Sequence, residues 1–145
     1  MKLIMAKRLV ILGAGESGAG AAVLAMKEGY DVFVSDAGPV KEQYRAELDR
    51  LGVRYESGQH SDDLVLQADE VMKSPGIPEK NEMMRKVRAR GIPVISEMEL
   101  AFRHMNGSRI IGITGSNGKT TTTALTYHMC KTGGLDVALV GNIGY

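Results

Sequence analysis

The loop Thr114-Gly115-Ser116-Asn117-Gly118-Lys119-Thr120 gathers an ammonium, hydroxyls and two glycines at one strand end. Those residue types suit a nucleoside triphosphate. Glycines let backbone N–H groups converge on phosphate oxygens, the Lys119 ammonium reaches the β- and γ-phosphates, and the Thr120 hydroxyl is placed to ligate Mg²⁺. The strict P-loop spacing is not met, because Ile113 stands where its first glycine belongs and Gly112 comes one residue too early. The spacing that remains still predicts ATP or GTP binding. A loop with no ligand, carrying Lys and Thr at a helix start, is the alternative.

About a hundred residues earlier lies a second glycine loop, Gly13-x-Gly15-x-x-Gly18. It follows an apolar run and opens a small-residue helix, so Gly13 would make the tight turn, Gly15 would let backbone approach a phosphate, and Gly18 would let helix and strand pack closely. Free N–H groups at that helix start, around Glu16, Ser17 and Gly18, would hold a diphosphate. Asp36 closes the next strand candidate, about 20 residues on, where an acid accepts hydrogen bonds from a ribose or base. The same pattern fits an NAD-binding dehydrogenase or nucleotide-sensing module, and glycines that serve packing alone are the third reading.

Such loops work only if strands and helices hold them. "RLVILG" (8–13), "DVFVS" (31–35), "VRYES" (53–57), "DEVMKS" (69–74) and "IPVIS" (92–96) read as strands. Between them "SGAGAAVLAMKEG", "KEQYRAELDRLG", "SDDLVLQA" and "EKNEMMRKVRARG" read as helices, with Gly29, Gly52 and Gly91 as stops. This alternation predicts an α/β fold, a Rossmann-like parallel sheet with helices on both faces. The pattern restarts after residue 108 with strand "RIIGIT" (109–114), the lysine loop, a helix from Lys119 to about Thr132, and strand "DVALV" (136–140). That is the first β-loop-α-β unit of a P-loop ATPase-type domain. The expected organisation is therefore residues 1–107 as a substrate-binding domain and 108–145 as the start of a second domain, with the chain a fragment of something longer.

The 145 residues are 43% hydrophobic and 24% charged, with a net charge of +1, which gives no electrostatic footprint for nucleic acid or a membrane surface. No apolar run approaches the roughly 18 residues of a spanning helix. The single cysteine, Cys130, excludes an intrachain disulfide and a thiolate cluster, in keeping with a reducing cytosol. No signal peptide is read at the start, and Met5 offers a second start codon position after a short extension. His60, His104 and His128 are scattered without metal-ligand spacing and read as surface or capping residues. Cys130 reads as packing, and Met83 and Met84 as core or surface filler rather than a site, on a helix whose basic residues are solvated.

"TGSNGKTTTT" resembles the ATP loop of the Mur ligases. With "SPGI" (74–77), "SEMEL" (96–100) and "GNIG" (141–144), it is similar, in order, to the first third of the D-glutamate-adding branch of that family. The alanine-adding branch typically carries His in place of Asn117 and a Ser-Ala pair in place of Pro75-Gly76. The resemblance implies a cytoplasmic, monomeric enzyme that uses ATP and Mg²⁺ to join D-glutamate to UDP-N-acetylmuramoyl-L-alanine in peptidoglycan synthesis. It goes through an acyl phosphate that the amine attacks. Carried over by position, Gly115, Ser116, Asn117, Gly118, Lys119, Thr120 and Thr121 would wrap the ATP phosphates, with Lys119 catalytic and Thr120 on the metal. Gly13, Gly15, Glu16, Ser17 and Gly18 would hold the UDP diphosphate, Asp36 would approach the uracil, Ser74 and Gly76 would line the uridine pocket, and Asn142 would touch the UDP-sugar. Ala37 and Gly38 depart from the hydroxyl and basic residue of the family pattern. The family's further catalytic carboxylates, a His and a modified Lys would lie beyond these residues.

Overall fold

Arg8–Leu12 (β1) is apolar on both faces, and it is the middle strand of a five-stranded, wholly parallel sheet in the order β3-β2-β1-β4-β5. The computed structural model describes residues 6–105 and 107–141, and the chain divides into two units, Met1–Asn106 and Gly107–Tyr145. In the first unit β1 is followed by α1 (Glu16–Lys27), β2 (Asp31–Asp36), α2 (Glu42–Leu51), β3 (Arg54–Ser57), the short α3 (Asp62–Val65), β4 (Glu70–Lys73), α4 (Glu82–Ala89), β5 (Val94–Ile95) and α5 (Glu97–Arg103).

Successive side chains of a strand point to opposite faces, so the nearly continuous apolar run of β1 feeds two cores. Leu9 and Ile11 pack with Ala21, Ala22 and Ala25 of α1, Leu48 of α2 and Leu100 of α5. Val10 and Leu12 pack on the other face with Val65 of α3 and Met83, Met84 and Val87 of α4. Helices thus cover both faces, as the alternation predicts. The small residues of α1 let it lie close to the sheet, and Met83 and Met84 are core. Gly29, Gly52 and Gly91 all take positive φ at helix ends, where a residue with a Cβ would be strained. Beyond the expected strand 92–96 the structure adds α5, which Ser96 caps by accepting from the Glu99 N–H at 3.1 Å.

One carboxylate is buried at the lower edge of the sheet. Glu70 is 3% exposed and accepts from Lys7 Nζ at 3.0 Å and Arg103 Nη1 at 2.8 Å, which ties β4 to the entry of β1 and to α5. Burial alone would raise its pKa, but the hydrogen bonds from Arg103 and Lys7 and their charges outweigh it and hold it below the ordinary 4.5. The native carboxylate therefore resists protonation more than the unfolded one. Its contribution is complete above that ordinary value and is lost as pH falls from there through the lowered native value. Glu70→Gln is expected to cost about 1–3 kcal/mol at neutral pH and to flatten the acid limb of stability, as urea unfolding at a series of pH values would show.

The second unit differs from expectation in its strands. The helix is present as α6 (Lys119–Thr132), but 109–114 and 136–140 form no strand. Both are apolar runs suited to burial on two sides, and among the described residues neither has a sheet to join. Ile110, Ile111, Leu135 and Val140 are 53–76% exposed, and no residue of α6 is buried. A lone strand pair is marginal in water.

Candidate functional site

In open parallel sheets ligands bind beyond the carboxyl ends of the strands, where the strand order reverses. Here that point lies between β1 and β4, and a cavity of about 480 Å³ opens there. Gly13, Gly15, Glu16 and Ser17 from the β1–α1 loop, Asp36 from β2, and Ser74 and Gly76 after β4 all line it. Residues far apart in sequence that the glycine pattern and the family resemblance singled out are thus one surface.

Each glycine has its own reason. Gly13 takes φ +95°, and a Cβ there would come within 2.8 Å of Ser74 Oγ. Its N–H donates to the Ser35 carbonyl at 2.8 Å, while Ser74 N–H donates to the Leu12 carbonyl at 3.0 Å, so the loop is laced to both neighbouring strands. Gly18 is buried beneath the loop: a Cβ would stand 1.8 Å from the Gly13 carbonyl oxygen. Gly18 does not line the cavity; it is the packing glycine that lets α1 start where it does. Gly15 is the N-cap of α1, with no side-chain cap and open space where a Cβ would stand. The first N–H groups of α1 consequently lack side-chain partners, an arrangement that attracts anions.

Asp36 is held more firmly than its position in the sequence suggests. Oδ2 accepts from the Ala14 N–H at 2.6 Å and Oδ1 from the Gly38 N–H at 2.8 Å, so the carboxylate bridges the β1–α1 loop and the loop after β2. Each oxygen keeps a lone pair for a ligand donor. Lys73, outside the cavity lining, braces the turn 74–78 by donating to the Ile77 carbonyl at 2.9 Å. Asn81, which caps α4 by accepting from the Met83 N–H, lines the cavity.

His60 also lines the cavity, although the sequence offered no reason to place it there. Nothing in its spacing marks it. Only the pairing of β3 beside β2 brings the turn after β3 alongside Asp36. Its Nδ1 lies 2.6 Å from Ser35 Oγ, which is fully buried and in turn 2.7 Å from Glu56 Oε1. Burial would raise the Glu56 pKa, but hydrogen bonds from Ser35 and Ser61 and the proximity of His60 hold it below the ordinary carboxylate value. Of the other histidines, His104 pairs with Glu28 at 3.0 Å and packs edge-on against Tyr30, a structural role.

In the second unit, Gly115 (φ +152°) and Gly118 (φ +76°) supply the backbone turns ahead of α6, and Gly118 is its N-cap without a side-chain cap. Lys119 Nζ curls back over this loop, donating to the Gly115 carbonyl and, at 3.4 Å, to that of Ser116. Ser116, Asn117, Thr120 and Thr121 are exposed around it. An ammonium folded over a glycine turn, with a hydroxyl on the first helical turn, fits a triphosphate and its Mg²⁺. Among the described residues no group of His, Cys, Asp or Glu offers a separate metal site, and no helix is long and apolar enough to cross a membrane. Asn142 lies outside the described residues.

A family model described as the N-terminal domain of MurD-like Mur ligases matches residues 7–96. The chain belongs to this family. Its curated relatives include the UDP-N-acetylmuramoylalanine--D-glutamate ligases of Bacteroides fragilis (54% identical over 138 residues) and Bacteroides thetaiotaomicron (55% over 138). Each alignment covers 95% of this chain and 31% of the relative, so the chain spans about a third of the length of the curated relatives it matches. Among solved structures, a murein peptide ligase of Psychrobacter arcticus superposes with a TM-score of 0.65 at 25% identity, over 90% of this chain and 27% of that one. The UDP-N-acetylmuramate-alanine ligase MurC of Thermotoga maritima superposes with a TM-score of 0.58 at 26% identity, over 86% and 29%. The MurD-like match covers β1 to β5, the elements that build the cavity.

Proposed function

We propose that this chain is the substrate-gripping portion of a cytoplasmic, ATP-dependent ligase that adds D-glutamate to UDP-N-acetylmuramoyl-L-alanine. The observation that carries the reading is the coexistence, in a MurD-like chain, of a cavity at the sheet's switch point and a separate lysine loop. The N–H groups of Glu16 and Ser17 hold the diphosphate of the UDP substrate, Gly15 admits it without steric conflict, Asp36 accepts from the nucleoside, and Ser74 and Gly76 form the facing wall.

ATP supplies the phosphoryl group that turns the substrate carboxylate into a good acyl donor. The residues that would hold it are Gly115 to Thr121, with Thr120 as a Mg²⁺ ligand. The task of Lys119 is electrostatic: it exchanges the loop carbonyls it now contacts for phosphate oxygens and balances their charge as the γ-group moves. Binding D-glutamate and completing the metal site fall to residues outside this chain.

Calorimetry tests the assignment of the first cavity. UDP-N-acetylmuramoyl-L-alanine is expected to bind the chain more tightly than NAD. Tighter NAD binding would make the cavity a dinucleotide site and retire the ligase reading of it.

A further inference from the structure

Ser35 Oγ has one proton and two close partners, Glu56 Oε1 at 2.7 Å and His60 Nδ1 at 2.6 Å. Glu56 also accepts from Ser61 N–H at 2.8 Å and Ser61 Oγ, and its carboxylate is held in the ionised form. A carboxylate cannot donate, so the Ser35 proton must go to Glu56, and Ser35 Oγ must then accept from His60. The proton on His60 is thereby assigned to Nδ1. The ring lines the cavity, Nδ1 is engaged, and Nε2 makes no hydrogen bond to the described residues. In the neutral ring Nε2 is a pure acceptor.

Its place in the fold says what it would accept from. The N–H groups suited to a diphosphate sit over β1, whereas His60 follows β3, on the far side of β2. Gly58 N–H bonds the Asp36 carbonyl at 2.9 Å, which ties the turn leading to His60 against the loop carrying Asp36. The groups around the ring are Glu56, Asp36 and, across the cavity, Glu16, and no lysine or arginine lines the cavity. We propose that His60 is a specificity-determining residue. Its neutral Nε2 accepts a hydrogen bond from the nucleoside of the ligand, an imide N–H or a ribose hydroxyl, with Ser35 and Glu56 holding the tautomer that makes this possible. The proposal rests on the reading of this cavity as the UDP-substrate site.

The test titrates the 145-residue chain with UDP, with inorganic pyrophosphate, and with N3-methyl-UDP and 2′-deoxy-UDP. His60→Leu is expected to weaken UDP about 5- to 10-fold, the range of one neutral hydrogen bond, and to leave pyrophosphate unchanged. His60→Gln, whose side-chain carbonyl reaches to a similar depth, should retain UDP affinity within about threefold. One of the two analogues should bind the wild type more weakly than UDP but lose nothing further in His60→Leu, which identifies the donor. An equal loss for pyrophosphate, or full UDP affinity in His60→Leu, would overturn the inference while leaving the cavity a UDP site. No UDP binding by the wild type would overturn the functional reading itself.

Discussion

On the proposed ligase reading, Lys119→Ala in the full-length protein is expected to lower turnover by two to three orders of magnitude, about 3–4 kcal/mol of lost transition-state stabilisation. The reason is what the ammonium does in the loop. Its Nζ curls over the Gly115 and Ser116 carbonyls, on the inner side of the turn. Triphosphate oxygens placed there would meet a mobile point charge that follows the γ-group. Lys119→Arg should restore little, since a planar fork cannot occupy the space of an ammonium inside a glycine turn. Steady-state kinetics with calorimetry separate this role from binding. UDP-substrate affinity, set in the other unit, is expected to stay within about twofold of the parent. Turnover near that of the parent would remove Lys119 from the chemistry.

Gly18→Ala is expected to be the most damaging single-methyl change in the first unit. A Cβ at Gly18 would stand 1.8 Å from the Gly13 carbonyl oxygen and 2.9 Å from its carbon. Those are backbone atoms fixed by the bond from Gly13 N–H to Ser35 and by the abutting Ser74, so no rotamer change relieves the clash. Either α1 shifts away from the sheet or the loop is displaced, and both disturb Ala22 and Ala25 in the core as well as the cavity rim. Overpacking against backbone places the cost at about 3 kcal/mol or more, and a loss of that size lowers the melting temperature of a domain this large by more than about 10 °C. Gly15→Ala is the control: nothing stands within 4 Å of its Cβ, and it should leave stability nearly intact while weakening diphosphate binding. Thermal unfolding of the two variants decides the matter; equal melting temperatures would contradict the packing account.

The first unit was largely legible because its signals are local. β1 and β2 are apolar runs ending in Gly13 and Asp36, and α1 has small residues on one face and Gly29 at its end. The cavity residues of the β1–α1 loop followed from the same spacing. Asp36 was legible as an acid at a strand end, but its backbone partners, Ala14 and Gly38, were not, because they depend on how two loops meet. His60 was invisible for a stronger reason: its partner Ser35 belongs to a different strand, and only β2–β3 pairing brings them together. The α5 helix could have been found from Ser96 and Glu99, the spacing of a capping box. The runs 109–114 and 136–140 show the opposite failure. Apolar composition states what a segment would bury, while a strand exists only when a neighbour completes it.

The place of β1 in the sheet has a consequence for the timing of synthesis. Its two flanks are filled by strands of different age on the ribosome, β2 almost at once and β4 only after Arg8 has waited for Asp69, 61 positions later. Until then one edge of the buried central strand is unpaired, and the cavity, whose far wall begins at Ser74, does not exist. Long-range parallel pairing is slow because chain closure must precede the contacts that stabilise it. The nascent chain thus acquires its cavity and its protected edge in the same event, the docking of β4.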